Sequence, residues 1–234
     1  FWIHCNIRTF PLNNTCFRHA LSLALNRKRI TEKVFIGQIP QISPLPLKYT
    51  HEKSEEEANP ELAKHYLQKA LKELNCDLCD IPPIVVTHSD LSFERPLFEE
   101  LKLQWGEVLG IGVIPHRLRW NEFSAAIEKG HFQLCGLYRR DFFNNALFYL
   151  SFFKSNSANP HSINNQEYDA LLKDFELNQN AETLKKIEDL LVQETPVIPL
   201  ANQRFLALTA SNIKGIDWDE NGCLDFKEVW IHET

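Results

Sequence analysis

Residues 84–138 read IVVTHSDLSFERPLFEELKLQWGEVLGIGVIPHRLRWNEFSAAIEKGHFQLCGLY, and their changing periodicity decides the fold class. Ile84-Val85-Val86-Thr87 follows Pro82-Pro83 as a β-branched run, the composition of a buried strand. A helical stretch then runs from about Phe93 to Leu109 and meets Gly110, whose backbone accepts the left-handed turn that ends a helix. IGVIPHRL reads as a second strand, Asn121 caps a short helix through Lys129 to Gly130, and HFQLCGLY reads as a third strand. Strand, helix, strand, helix, strand in about 55 residues predicts an α/β layer with crossover connections.

The flanks are more helical. Upstream, Asn14 or Thr15 caps a helix with Phe17, Ala20, Leu21, Ala24 and Leu25 as its apolar stripe. Arg27-Lys28-Arg29 would end that helix and complement its negative pole, which explains the basic run without a nucleic acid. Residues 36–50 carry three prolines and read as an extended connection. Asn59 and Pro60 open a further helix with Leu62, Tyr66, Leu67, Ala70, Leu71 and Leu74 on its buried face, approached by Glu55-Glu56-Glu57. Downstream, the aromatic-rich stretch Phe142 to Phe153 leads through a loop to two helices, NQEYDALLKDFE and NAETLKKIEDLLVQE, a predicted hairpin whose second member is capped by Asn180. Pro196 and Pro199 precede LANQRFLALTAS, which alternates weakly and predicts a strand.

The chain has 234 residues, 44% hydrophobic and 24% charged, enough for a substantial core. A formal net charge of -6 and no basic stripe argue against nucleic acid as a partner. No apolar run approaches 18 residues, and the first ten residues lack the charged and apolar regions of a signal peptide. With no methionine anywhere, the sequence reads as a piece of a longer protein, so a targeting signal would lie upstream. Of six cysteines only Cys76 and Cys79 are spaced as C-x-x-C, and they end a helix instead of opening one, so plain thiols or an incidental disulfide outweigh redox or zinc chemistry. Hydrolase, zinc-protease and phosphate-loop motifs are all missing, so an enzyme is not expected and no cofactor is implied.

DWDENGCLDFKE, residues 217–228, carries Asp217, Asp219, Asn221, Gly222 and Glu228 at the spacing of an EF-hand calcium loop. An EF-hand needs a helix on each side. Here β-favouring residues precede the string and only VWIHET follows it. Asn221-Gly222 is also the preferred pair for a two-residue hairpin turn, with Ile216, Trp218, Leu224 and Phe226 alternating as one buried face. The hairpin is the expected reading, and a calcium-binding module at 217–228 is the alternative.

Six segments, in order, resemble the oligopeptide-binding proteins of bacterial ABC importers: FPLNNTCFRHALSLALNRKRI, NPELAKHYLQKA, LGIGVIPHRLRWNEFSAAIEKGHFQL, NNQEYDALL, VQETPVIPL and GCLDFKEVW. In the first, Pro11, Asn13, Arg18, Ala20, Ala24, Arg27 and Ile30 match the family's pattern. The resemblance spans the chain and implies a periplasmic-binding-protein-like lobe, a mixed β-sheet flanked by helices, with a C-terminal β-hairpin. It implies a ligand-binding lobe over 1–203 and, over 204–234, a segment returning to a first lobe that lies upstream. An oligopeptide ligand, ABC importer membrane subunits as partners, an extracytoplasmic location and membrane attachment only through an upstream lipid anchor follow from the same resemblance.

In that family a segment reading G-W-x-A-D-Y carries an Asp that holds the ligand's α-amino group. GLYRRDFF resembles it with one inserted residue, matching Tyr138 to the Trp, Asp141 to the Asp and Phe142 to the Tyr. A carboxylate at a partly dry cleft edge suits an ammonium group. Equally, Asp141 would cap the helix that follows. Arg139 and Arg140 depart from the pattern; they either meet a ligand carboxylate or backbone, or neutralise Asp141.

Overall fold

The structure, a computed structural model, describes residues 1–50, 58–90, 94–141, 145–155, 159–204, 206–219 and 223–232. Its first strand, β1 (Trp2–Cys5), is buried throughout and was not expected, because four residues covered on both faces show no alternation. α1 (Thr15–Leu23) begins where Asn14 accepts the Phe17 backbone N–H. The helix expected to run into Arg27-Lys28-Arg29 ends at Leu23, and Asn26 caps a separate helix, α2 (Arg27–Lys33). The basic run therefore stands at a positive pole, a cost of about 0.3–1 kcal/mol per exposed charge. Arg27 is buried, and it donates to Pro199 O at 2.7 Å, to Ser22 O and to Ser22 Oγ. These charge-assisted bonds outweigh the dipole.

β2 (Ile39–Pro40) is the only strand or helix described in the proline-rich connection. α3 (Pro60–Leu74) is capped by Asn59 as expected, but it buries Ala63, Leu67 and Ala70 and leaves Leu62 at the surface. Glu55-Glu56-Glu57 lie outside the described residues. β3 (Ile84–His88), α4 (Glu94–Leu109), β4 (Val113–Arg117), α5 (Trp120–Glu128) and β5 (Leu134–Leu137) follow the expected order. Gly110 takes a φ of +69°. Arg119, not Asn121, stands at the start of α5, where Glu122 accepts its backbone N–H.

The aromatic-rich segment forms α6 (Leu147–Leu150), which a 3-10 turn carries on to Phe153. The hairpin α7 (Gln166–Asn178) and α8 (Ala181–Glu194) is as predicted, with Asn180 capping α8. β6 (Val197–Pro199) follows immediately. The strand expected over 200–211 shrinks to β7 (Ala201–Asn202), paired with β2, and Leu206 and Leu208 beyond it are exposed.

The central sheet runs β4-β3-β5-β1-β6. β3 is parallel to β4 and β5, the crossover layer read from the sequence, whereas β1 is antiparallel to both β5 and β6. Trp2 pairs with Leu137 on one side and Pro199 on the other, so the carboxyl ends of β5 and β6 meet the amino end of β1. Each face has its own core. Ile3 and Cys5 join Phe17, Leu21, Leu67, Leu101 and Trp105 from α1, α3 and α4, and Trp2 joins Leu150, Tyr168, Leu172, Ile187 and Leu191 from α6, α7 and α8.

The last segment forms β8 (Ile213–Lys214), β9 (Asp217–Trp218), β10 (Leu224–Asp225) and β11 (Trp230–Ile231), with β8 paired to β11 and β9 to β10. The paired strands β8 and β11 occupy the places where an EF-hand needs helices, and Asp219 accepts the Cys223 N–H. Among the described residues no group of three His, Cys, Asp or Glu side chains could hold a metal ion. A two-residue turn at Asn221-Gly222 would set Glu220 opposite Cys223. The register instead carries Asp219 opposite Cys223, with Asp219 N–H donating to Cys223 O at 2.8 Å, and residues 220–222 lie outside the described ones. The expected buried face is only half covered in this chain: Ile216 and Leu224 are partly buried, whereas Trp218 is 40% and Phe226 60% accessible. Gly215 is required where it stands, since at φ +77° an added Cβ would lie 1.9 Å from Glu228 O.

His4 and His161 are both buried, with ring centroids 4.8 Å apart, and none of their ring nitrogens bonds to a protein group. Burial holds both below the ordinary value of 6.5, His161 at about 3, with Arg139 adding repulsion to each and Arg8 to His161. The folded state thus keeps them neutral while the unfolded chain protonates near 6.5, so their stabilising effect is complete above that pH and declines as pH falls below it. Each withdraws up to about 1.4 kcal/mol per pH unit. Urea denaturation between pH 7 and 4.5 should show this loss, and His161→Phe should flatten it; parallel curves for the two proteins would show the pair does not govern acid stability.

Candidate functional site

A pocket of about 400 Å³ opens where the sheet's strand ends converge, within the size range of small-ligand sites. Ligands of open α/β sheets bind beyond the carboxyl ends of strands, and β5 and β6 both point into this region. The segment after β5 contributes Tyr138, Arg139, Arg140 and Asp141; the segment after β6 contributes Ala201, Asn202 and Gln203; β1 contributes Trp2. Gln41, Leu45, Lys48 and Tyr149 complete much of the wall. Four of the five residues expected at the site are therefore together, and the fifth, Phe142, lies outside the described residues.

Asp141 is one of the lining residues, its side chain shielded from solvent. Its Oδ2 accepts from the Tyr49 hydroxyl at 3.0 Å and from the Asn145 backbone N–H, and Lys48 Nζ stands 3.7 Å away. The Asp141 N–H donates to the Tyr149 hydroxyl at 3.0 Å. The carboxylate therefore holds the turn that leads to α6, as a helix-approach cap would, in a residue that belongs to the pocket wall. Burial, then the bond to Asp141 and its negative charge, push the Tyr49 phenol up, and burial does the same to Tyr138 and Tyr149. These hydroxyls stay protonated; that of Tyr49 donates to Asp141, and that of Tyr149 accepts the Asp141 N–H.

The two arginines go separate ways. Arg139 lays its guanidinium over the Phe152 ring, 4.3 Å from the centroid, and burial lowers its pKa from the ordinary arginine value. Arg140 reaches outward and donates to Cys223 Sγ at 3.3 Å, which ties the tail hairpin to the pocket rim.

Lys48, Tyr49 and Gln41 were not expected at the site. They lie in the proline-rich connection, where no periodicity singles out a residue. Side-chain bonds hold that connection in place. Ser43 and Thr50 both donate to Oε1 of buried Glu188 on α8, Gln41 N–H donates to Leu200 O, and its side-chain amide donates to Leu45 O.

Residues 1–161 match the family described as "Bacterial extracellular solute-binding proteins, family 5 Middle". The oligopeptide-binding protein OppA of Bacillus subtilis is 25% identical over 244 residues, spanning 99% of this chain and 45% of the relative. The dipeptide-binding protein DppE of the same organism is 24% identical over 242 residues, spanning 97% and 44%. Among solved structures, the pheromone receptor PrgZ superposes with a TM-score of 0.81 at 25% identity, over 99% of this chain and 48% of that one. An oligopeptide-binding protein of Borrelia burgdorferi gives 0.76 at 25% identity over 86% and 42%. The chain spans less than half the length of these curated relatives. With the family matched over residues 1–161 and the mixed sheet shared with these structures, the chain belongs to the bacterial extracellular solute-binding proteins of family 5.

Proposed function

We propose that this chain is the second lobe of an extracytoplasmic oligopeptide-binding protein that captures peptides by lobe closure and delivers them to an ABC importer. The observation that carries the reading is the pocket at the carboxyl ends of β5 and β6, with Asp141, a solvent-shielded carboxylate, among its lining residues in a chain of this family. Members of the family are binding proteins, not enzymes. Backbone hydrogen bonds give such sites affinity for many sequences, while charged groups fix the ends of the peptide. In this reading Asp141 receives the peptide's α-amino group through a charge-assisted bond, Tyr138, Arg139 and Arg140 flank it, and Lys48 and Tyr49 join them.

Residues 1–203 form the ligand lobe and 204–234 return to a first lobe. The returning segment exposes Leu206, Leu208, Trp218, Phe226, Trp230 and Ile231, a concentration of apolar surface that a covering lobe would remove from water. Closure would bring two such lobes together about a hinge over the peptide.

In the full-length protein, Asp141→Asn keeps an acceptor for Tyr49 and Asn145 but removes the charge. Calorimetric titration with a mixed peptide pool should then show affinity weakened by about tenfold, with the melting temperature little changed. Unaltered affinity would take Asp141 out of the site. Asp141→Ala should in addition cost about 1–3 kcal/mol of stability, because it leaves the Asn145 N–H and the Tyr49 hydroxyl without this acceptor. The 234-residue chain alone should bind the same pool far more weakly than the full-length protein, and equal affinity would overturn the two-lobe reading.

A further inference from the structure

The stretch that leads out of the ligand lobe is held by backbone pairing and then, where the pairing ends, by one side chain. Gln41 N–H donates to Leu200 O at 3.1 Å, and Pro40 and Ile39 pair with Ala201 and Asn202. That pairing stops at Asn202. Gln38 then takes over: its Nε2 donates to Arg204 O at 3.2 Å, and its Oε1 accepts the Arg204 N–H. A side-chain amide carries both a donor and an acceptor, so it meets one residue's N–H and C=O as a neighbouring strand would. We propose that Gln38 is a positioning residue for lobe closure. It makes Arg204 the last fixed point of this lobe, so that the chain bends beyond it and the pocket wall does not. The inference rests on the reading that residues 204–234 return to a first lobe.

The chain beyond the clamp can bend. Residues 206–209 make no backbone–backbone hydrogen bond among the described residues; the next are Ile213 N–H to Ala210 O and the β8–β11 pair. Such a stretch changes φ and ψ without breaking a ladder, as a hinge requires. Its first contact is a soft one. Leu206 Cδ1 lies over Gly37, 2.6 Å from where a Cβ would stand, and the rest of Leu206 is largely exposed.

The base of the clamp is rigid. Gln38 N–H donates to Phe35 O at 2.9 Å, and the buried Phe35 ring centroid stands 4.9 Å from that of Phe1 and 6.2 Å from that of Tyr138. Phe1 and Tyr138 line the pocket, as do Asn202 and Gln203 immediately before Arg204. The clamp therefore ties the exit of the chain to the core that carries the pocket wall. Without it the last paired residue is Asn202, and Gln203, a wall residue, joins the part that bends. A ligand held by that wall then leaves more readily, because small lobe movements reach it.

The test uses the full-length protein and a fluorophore-labelled pool of mixed peptides, with dissociation followed after an excess of unlabelled pool is added. Gln38→Ala should speed exchange of the Arg204 backbone amide with solvent deuterium by about tenfold. It should also raise the peptide dissociation rate by about fivefold with the association rate little changed. The melting temperature should stay within about 2 °C, as for other surface substitutions, which separates positioning from a general loss of structure. Gln38→Glu still accepts the Arg204 N–H but lacks the donor, and should fall between the two proteins in both rates. Unchanged Arg204 exchange in Gln38→Ala, or faster exchange with an unchanged dissociation rate, overturns the inference while peptide binding and closure stand. A wild-type protein that neither binds the pool nor becomes more compact with it in small-angle scattering overturns the two-lobe reading, and the inference with it.

Discussion

Two guanidinium groups that the fold has taken out of water set the position of β6, and β6 leads directly into the pocket. Arg18 is 2% exposed. Its Nε donates to Glu194 O at 3.1 Å and Thr195 O at 3.0 Å, Nη1 to Leu12 O at 2.8 Å, and Nη2 to Thr15 Oγ1 and Glu194 O. Glu194 ends α8, and the carbonyls at a helix's carboxyl end lack partners within the helix and carry its negative pole. Arg18 supplies both the donors and the opposite charge. Arg27 does the same at the other end of the strand, donating to Pro199 O at 2.7 Å. A buried arginine with empty donors would cost several kcal/mol, so these carbonyls cannot shift without exposing that penalty.

That clamp explains why a strand of three residues can be a reliable wall. Between the two anchored carbonyl sets, Val197–Pro199 has one register open to it beside β1, and Leu200 N–H continues the match by donating to Phe1 O. Ala201, Asn202 and Gln203 are then delivered to the pocket. On the opposite side of β1, β5 is held by the same strand and delivers Tyr138 to Asp141. The two walls of the site are therefore successive residues of strands that share a single buried neighbour.

Where the chain's local chemistry and its tertiary role agree, the sequence was legible. β3 through β5 could be read because long helices between β-branched runs bear their period openly, and Asn14, Asn59 and Asn180 cap helices as their spacing implies. β1 was illegible, since burial on both faces erases alternation. Arg27 misled, because a basic run next to a helix end suits solvent and dipole, and only the distant Pro199 carbonyl reveals its buried use. The hairpin's pairing was readable in Ile216, Trp218, Leu224 and Phe226, whereas its register was not, because the bonds between Asp219 and Cys223 that fix it leave no signal in residue spacing. At the site, the residues after β5 could be found from their segment, but Lys48 and Tyr49 come from a connection whose shape is set by Glu188, some 140 residues away.

That division has a consequence for how the pocket behaves as a charged object. Asp141 belongs to the rigid half: it follows a central strand and is bonded to the backbone and hydroxyls around it. Lys48 belongs to the attached half, a connection fixed at its backbone but with a long side chain half in solvent. A carboxylate so held keeps its position whichever cation faces it, and a lysine so held adjusts at little cost, since an exposed pair is worth at most about 1 kcal/mol.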